Sequence, residues 1–176
     1  MYSIRKTTAD DFESIKALYK KVAEHTIGIA RSKNEISDVY IHNFINSALS
    51  NGIELVIENP ANPHELIAEI HCYKLIPNVF DHILSELTIV VDPDFHSKGL
   101  GRLIFTSLLD YVKNNRTDIL RIELVTRESN LKAISFYKSL GFLQEGRMEY
   151  RIKSPSGGFE ADIPMAWFNK NFERIN

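Results

Sequence analysis

The residues best suited to chemistry begin with the run from Val90 to Arg102, Val-Val-Asp-Pro-Asp-Phe-His-Ser-Lys-Gly-Leu-Gly-Arg. A strand-like stretch passes there through a glycine turn into a helical pattern. The first amides of a helix have no intrahelical acceptor, and the aligned peptide dipoles place partial positive charge beside them, so such a turn suits an anion such as a pyrophosphate. Side chains at Gly99 and Gly101 would obstruct its approach, while Lys98 and Arg102 add charge at the rim. Two other phosphate-binding patterns do not fit. A Walker loop needs a second glycine and a Gly-Lys-Ser/Thr ending, and a dinucleotide fold needs Gly-x-Gly-x-x-Gly, whereas Arg102-Leu103-Ile104 follows Gly101.

The second constellation is Arg121-Ile122-Glu123-Leu124-Val125-Thr126-Arg127-Glu128-Ser129-Asn130, followed by Ala133, Phe136, Tyr137, Leu140, Gly141 and Phe142. It is another strand entering a helix. Ala133, Phe136, Tyr137 and Leu140 lie three or four apart, which puts one phenol, Tyr137, on an otherwise apolar face. Asn130 stands where a helix N-cap belongs. Cys72 sits mid-strand with no base near it in sequence and reads as a buried hydrophobe. The six histidines show no His-x-x-x-His spacing and a single cysteine allows no Cys-x-x-Cys, so no metal is expected.

The elements that must hold these residues are legible in the periodicity. Tyr2 to Thr7 alternates as a strand, and a helix opens at Asp10-Asp11 with Phe12, Ile15, Leu18, Tyr19 and Val22 on its apolar face. Glu24 to Asn34, with Gly28, reads as a loop. Ile36, Val39, Tyr40, Phe44, Ile45 and Ala48 then mark a second helix, ending near Asn51-Gly52. Ile53 to Ile57 and Leu66 to Leu75 pair as a hairpin across a turn at Asn59 to Pro63. A loop at Pro77 to Asp81 leads to a central strand, Leu84 to Val91, bounded by Asp92-Pro93. Leu100, Leu103, Ile104, Leu108, Tyr111 and Val112 give one face of a helix over Gly99 to Asn115. Ile119 to Thr126 is a strand and Asn130 to Leu140 a short helix. Phe142 to Ile152 and Phe159 to Trp167 are strands around Ser154 to Gly158. The order predicts an α/β fold, with a mixed, mostly antiparallel sheet of about seven strands and helices on both faces, in one domain spanning residues 1–176.

Composition narrows the partners. Of 176 residues, 44% are hydrophobic and 25% charged, ordinary globular usage with enough chain to bury a core without disulfide or metal. A net charge of −2 lacks the field that holds polyanions, so nucleic acid is not an expected partner. No apolar run approaches the roughly 20 residues of a spanning helix, and the amino terminus has no signal-peptide pattern. No membrane segment and a cytoplasmic location are expected.

With both constellations in view, residues 85 to 145 resemble the GNAT superfamily of acyl-CoA-dependent N-acetyltransferases. Its members carry Arg/Gln-x-x-Gly-x-Gly/Ala after a central strand, and an Asn-to-Tyr helix ending in Gly-Phe. His96 departs from the pattern, standing where the family has Arg or Gln. The resemblance implies acetyl-CoA as co-substrate, with its pyrophosphate on the turn His96, Ser97, Lys98, Gly99, Leu100, Gly101 and Arg102. It further implies that the central strand and the Ile119 to Thr126 strand splay apart, that Ile89 and Val91 pair with the pantetheine arm, and that Asn130 contacts the cofactor. A strand amide near Val90 would face the oxyanion, and Tyr137 would protonate the leaving thiolate.

An alkylammonium, with a pKa of about 10, must lose a proton before it attacks. Glu86 is the first candidate base, at a place where some relatives carry an acid, with Glu123 and Glu69 as alternatives. The expected acceptor is the primary amine of a small molecule or amino-acid-like substrate, attacking the thioester directly, in a pocket shaped by Glu24 to Asn51 and the Ser154 to Gly158 loop. Two other readings stay open, a protein N-terminal or lysine acetyltransferase and a non-catalytic acyl-CoA binding module. The carboxyl-terminal pattern from Glu145-Gly146 to Met165-Ala166 resembles small-amine and ribosomal-protein acetyltransferases alike. Family members often dimerise, and a homodimer stays open because no residue pattern marks an interface.

Overall fold

The computed structural model describes residues 2–25, 29–154 and 157–173. Gly28, Pro155 and Ser156, which belong to two of the expected loops, lie outside the described residues. Among the described residues the fold is mixed α/β, with eight strands and four α-helices, and most of its strand pairing is antiparallel. The chain packs as two compact units, residues Met1–Lys74 with Thr88–Tyr111 and residues Leu75–Leu87 with Val112–Asn176.

In the first unit β1 (Ile4–Lys6) leads through a short 3-10 turn into α1 (Phe12–His25). Asp11 fixes that entry. Its carboxylate accepts a two-pronged ion pair from Arg5 at 2.7 and 2.8 Å and the Thr8 amide at 2.8 Å, and the Arg5 bonds hold its pKa below the usual carboxylate range. Next comes α2 (Asp38–Asn51), capped by Ser37, whose hydroxyl accepts from the Tyr40 amide. The hairpin of β2 (Gly52–Asn59) and β3 (Asn62–Lys74) follows. Both strands run further than the apolar pattern marked, so that Asn62 and Pro63, expected in the turn, already belong to β3. Gly52 is required where the strands meet, because a Cβ there would lie 2.3 Å from the Cys72 carbonyl.

The apolar stripes of α1 and α2 close over this hairpin. Ile15, Leu18, Tyr19 and Val22 of α1 and Ile41, Phe44 and Ile45 of α2 bury against Val56, Leu66 and Val90. Side chains of this size stabilise by about 1.5–3 kcal/mol each when fully buried. Val39 and Leu103, expected on buried faces, are exposed. The buried faces are set instead by Ile41, Phe44, Ile45 and Ala48 in α2 and by Leu100, Ile104, Phe105, Leu108 and Val112 in the helix that carries Leu103.

The strand β4 (Ile83–Val91) runs through both units, and its last residues lead to α3 (Leu100–Asn115). In the second unit β5 (Arg121–Arg127) pairs parallel to β4 and antiparallel to β8 (Phe159–Phe168), with α4 (Leu131–Ser139) following β5. The single strand expected over Phe142 to Ile152 is two, β6 (Leu143–Gln144) and β7 (Met148–Lys153), both on β8. The break falls at Glu145-Gly146-Arg147, where the Glu145 amide still bonds to the Pro164 carbonyl but the regular ladder stops. Eight strands result among the described residues, in keeping with the expected sheet of about seven.

Candidate active site

The glycine turn in the first unit is built as its sequence requires. Asp92 ends β4 with its amide bonded to the Ile67 carbonyl at 2.9 Å. Its buried carboxylate accepts the Asp94 amide and pairs with Lys21 of α1 at 2.7 Å. Ser97 and Gly99 then adopt left-handed backbone, φ 62° and 80°, turning the chain sharply into α3. Glycine takes that region freely, whereas Ser97 holds it at a cost of about 1–2 kcal/mol. The Leu103 amide bonds the Gly99 carbonyl at 3.0 Å as the first closed turn of α3, so the amides of Gly99, Leu100 and Gly101 precede any intrahelical acceptor.

Gly101 carries the case for a ligand. A Cβ added there would meet only Val91 Cγ2, at 3.8 Å, an ordinary contact. The fold by itself therefore tolerates a side chain at Gly101, and the glycine leaves the helix start open to close approach. The flanking side chains are arranged differently from expectation at His96, whose Nε2 lies 3.0 Å from the Val91 carbonyl and ties the turn to the strand end. Where the family pattern has Arg or Gln, this chain uses an imidazole to brace its own backbone. Lys98 lies over the Phe95 ring, 4.2 Å from its centroid, and both Lys98 and Arg102 are exposed at the rim. Ile89 and Val91 are half-buried and Val90 is buried.

In the second unit, β4 and β5 pair at Ile83↔Arg121 and Leu84↔Ile122 and, among the described residues, no further. From Glu123 to Arg127 β5 stays on β8. The parting comes where Glu86 takes φ 55°, a left-handed conformation inside a strand that turns its exposed carboxylate off the ladder. Glu123, by contrast, is held by Arg121 at 3.0 Å, and the same guanidinium reaches Glu145 at 2.6 Å. Asn130 caps α4, its Oδ1 accepting the Ala133 amide at 3.1 Å. Tyr137 follows on that helix, its ring 6.0 Å from Phe142, and burial pushes its phenol up to about 12. It therefore stays protonated at neutral pH.

A phosphate-type cradle, a parted parallel pair and an Asn-to-Tyr helix are features of one family. Residues 57–142 match the Acetyltransferase (GNAT) family. The chain belongs to that family.

A ribosomal protein bS18-alanine N-acetyltransferase of Salmonella typhimurium is 38% identical over 87 residues, covering 48% of this chain and 57% of that protein. The match thus spans little more than half the length of this curated relative. A GNAT-family acetyltransferase from Streptococcus pneumoniae shares the fold at a TM-score of 0.79 and 19% identity, over 96% of this chain and 99% of that one. A GNAT superfamily phosphinothricin acetyltransferase from Sinorhizobium meliloti, solved in complex with acetyl-CoA, does so at 0.75 and 14%, over 96% and 88%. No helix among the described residues of this GNAT chain is long and apolar enough to cross a membrane.

One polar cluster of this GNAT chain escaped sequence reasoning. On the hairpin face under α1, Glu54 of β2 is the cross-strand partner of His71 of β3, and Glu69 lies two residues before it. The Tyr19 hydroxyl donates to Glu69 Oε2 at 2.6 Å, and His71 Nδ1 lies 2.9 Å from Glu69 Oε1. All four side chains are buried, Glu69 and Tyr19 completely. Burial raises the Glu54 carboxyl to about 9 and that of Glu69 to about 8. Glu69, named beforehand as an alternative base, is committed to this cluster. The signal was present as charged residues within two strongly apolar strands, Ile53-Glu54-Leu55-Val56-Ile57 and Leu66 to Cys72. Only the register puts them together.

Proposed function

We propose that the chain transfers an acetyl group from acetyl-CoA to a primary amine, and that the amine is the α-amino group of a polypeptide. The observation that carries the transferase reading is the open helix start at Gly99 to Gly101, where the glycine at 101 serves no need of the fold. In this reading the amides of Gly99, Leu100 and Gly101 bind the pyrophosphate, with Ser97, Lys98 and Arg102 around it. The backbone of Ile89 and Val91 pairs with the pantetheine arm, His96 steadies the strand end, and Asn130 caps α4 while its amide group turns to the cofactor. Bound acetyl-CoA supplies an activated thioester carbonyl.

The chain's own residues manage two protons. Glu86, exposed where β4 leaves β5, takes the proton from the ammonium, directly or through a water, so that a neutral amine attacks. The C–N bond forms to give a tetrahedral oxyanion that an amide near Val90 stabilises, the C–S bond then breaks as Tyr137 delivers its proton to the leaving thiolate, and the acetylated nitrogen gives up its second proton to restore the phenol. A donor with a pKa of about 12 is never lost to ionisation beforehand.

The curated relative named for alanine of ribosomal protein bS18 supports a polypeptide acceptor. The test is thiol release from acetyl-CoA with peptides bearing free amino termini, amino-blocked lysine peptides and small amines. Turnover concentrated on free amino termini is the expected outcome. Turnover on small amines alone would restore the acceptor first read from the sequence and overturn the polypeptide assignment, and cofactor binding without thiol release would leave a binding module.

Gly101→Asp separates cradle from fold. An acid in the first turn of a helix is favourable by about 0.3–1 kcal/mol, so thermal stability should hold or rise. The same carboxylate confronts the pyrophosphate, and losing even one charge-assisted bond of about 1.5–3 kcal/mol weakens binding at least tenfold. Calorimetric titration with coenzyme A beside a melting curve checks both halves.

A further inference from the structure

Tyr19, Glu54, Glu69 and His71 have no role in the acetyl transfer proposed above, and packing does not explain their chemistry. Two carboxyl groups occupy one buried face of a two-stranded hairpin under α1. Neither Glu54 nor Glu69 pairs with a lysine or arginine among the described residues. Glu69 is satisfied by Tyr19 and His71. Glu54 is not. It is 4% exposed, and its one hydrogen-bonding neighbour is the equally buried Glu69 carboxyl, a contact that holds only while one of the two keeps a proton, so an ionised Glu54 has no donor. Leaving a buried polar group unsatisfied is destabilising by about 1–3 kcal/mol, and more for a charged one. The fold that bears this has placed Glu54 where one oxygen of each carboxylate and a ring nitrogen of His71 all lie within 4.8 Å of one another.

We propose that Glu54, Glu69 and His71 form a binding site for a divalent first-row transition metal ion, with Zn²⁺ as the ion the donor set fits. Two carboxylates balance the charge of a dication, and an imidazole with carboxylate oxygens is a donor set that zinc accepts. Ligand atoms about 2.0–2.2 Å from a tetrahedral zinc stand roughly 3.4 Å apart. The His71 to Glu69 separation is 2.9 Å, and all three donor atoms lie within 4.8 Å of one another, so small side-chain rotations would bring them to that spacing. The Tyr19 hydroxyl, bonded to the second oxygen of Glu69, orients that ligand as outer-shell donors do. An ion held there would clamp β2 and β3 beneath α1. The absence of a His-x-x-x-His or Cys-x-x-Cys pattern carries no weight against the site, because those spacings describe ligands along one element and this set is assembled across two strands.

The test uses the full chain, freed of metal by a chelator and titrated with zinc chloride against a chromophoric competitor. One zinc ion per chain is expected, with zinc X-ray absorption reporting one imidazole and otherwise oxygen ligands at about 2.0–2.2 Å. Glu54→Gln keeps shape and removes a ligand charge. It should retain the wild-type far-ultraviolet dichroism and lose affinity by at least about tenfold, the scale set by losing even an outer-shell partner. Tyr19→Phe should weaken binding without abolishing it. No zinc uptake by wild type in molar excess, ligation by two or more imidazoles, or undiminished affinity in a folded Glu54→Gln chain would each overturn the proposal. The absorption spectrum of wild type decides the matter even where the variants fail to fold, and neither readout depends on acetyl transfer.

Discussion

Replacing Tyr137 by phenylalanine is expected to lower kcat about a hundredfold, the lower end of what a positioned proton donor contributes. The substitution removes one oxygen and little else. The ring keeps its contacts with Phe136 and Phe142, centroids 5.6 and 6.0 Å away, so the melting temperature and the affinity for acetyl-CoA should barely move. A fall in kcat with unchanged cofactor affinity identifies an interaction made in the transition state alone. The pH profile supplies a second check. Because burial pushes the phenol to about 12, no alkaline loss of activity below pH 10 belongs to Tyr137, and one that vanished in the phenylalanine variant would contradict the assignment. Full activity in that variant would remove Tyr137 from the mechanism.

The second large effect is on stability, and its sign is opposite to that of an ordinary carboxylate. In metal-free protein Glu54 and Glu69 have folded-state values raised to about 9 and about 8 from an ordinary 4.5, so the folded chain keeps protons that the unfolded chain releases. Their contribution is fully present below pH 4.5 and is lost as pH rises through about 8 and then about 9. Each retained proton gives a slope of about 1.4 kcal/mol per pH unit in that window. The groups facing the pair are Tyr19 from α1, Tyr40 from α2, His71 on β3 and Asp11 ahead of α1, and none of them brings a permanent positive charge. Melting curves of chelator-treated protein should therefore fall steadily from pH 5 to pH 9. Glu54→Gln, with no proton to lose, should flatten the dependence and melt several degrees above wild type at pH 9, at about 2–4 °C per kcal/mol. A melting temperature independent of pH across that range would show that these carboxyls are not buried as described.

The same contrast explains what the sequence revealed and what it withheld. Elements set by local chemistry were legible. The turn at Ser97 to Gly101 declares itself through glycine, and α3 and α4 through apolar spacing. The cofactor half of the site follows from such local features, because a helix start binds an anion with its own backbone. What depended on neighbours was hidden. Glu145-Gly146-Arg147 reads as a continuation of a strand until β8 pairs on either side of it and interrupts the ladder there. Glu86 gives no sign in sequence of its left-handed backbone, which arises where β4 parts from β5. His96 stands in the turn expected to hold the pyrophosphate, and the sequence gives no sign that its ring also braces the Val91 carbonyl. Glu54 and His71 lie seventeen positions apart along the chain and meet only through the hairpin register.

Titrating the intact chain with acetyl-CoA in a calorimeter tests the central claim most directly. Saturable binding of one equivalent with micromolar affinity, abolished or greatly weakened by Gly101→Asp in a protein that melts no earlier than wild type, is the predicted result. No binding heat at millimolar acetyl-CoA, or equal binding by the aspartate variant, would contradict it.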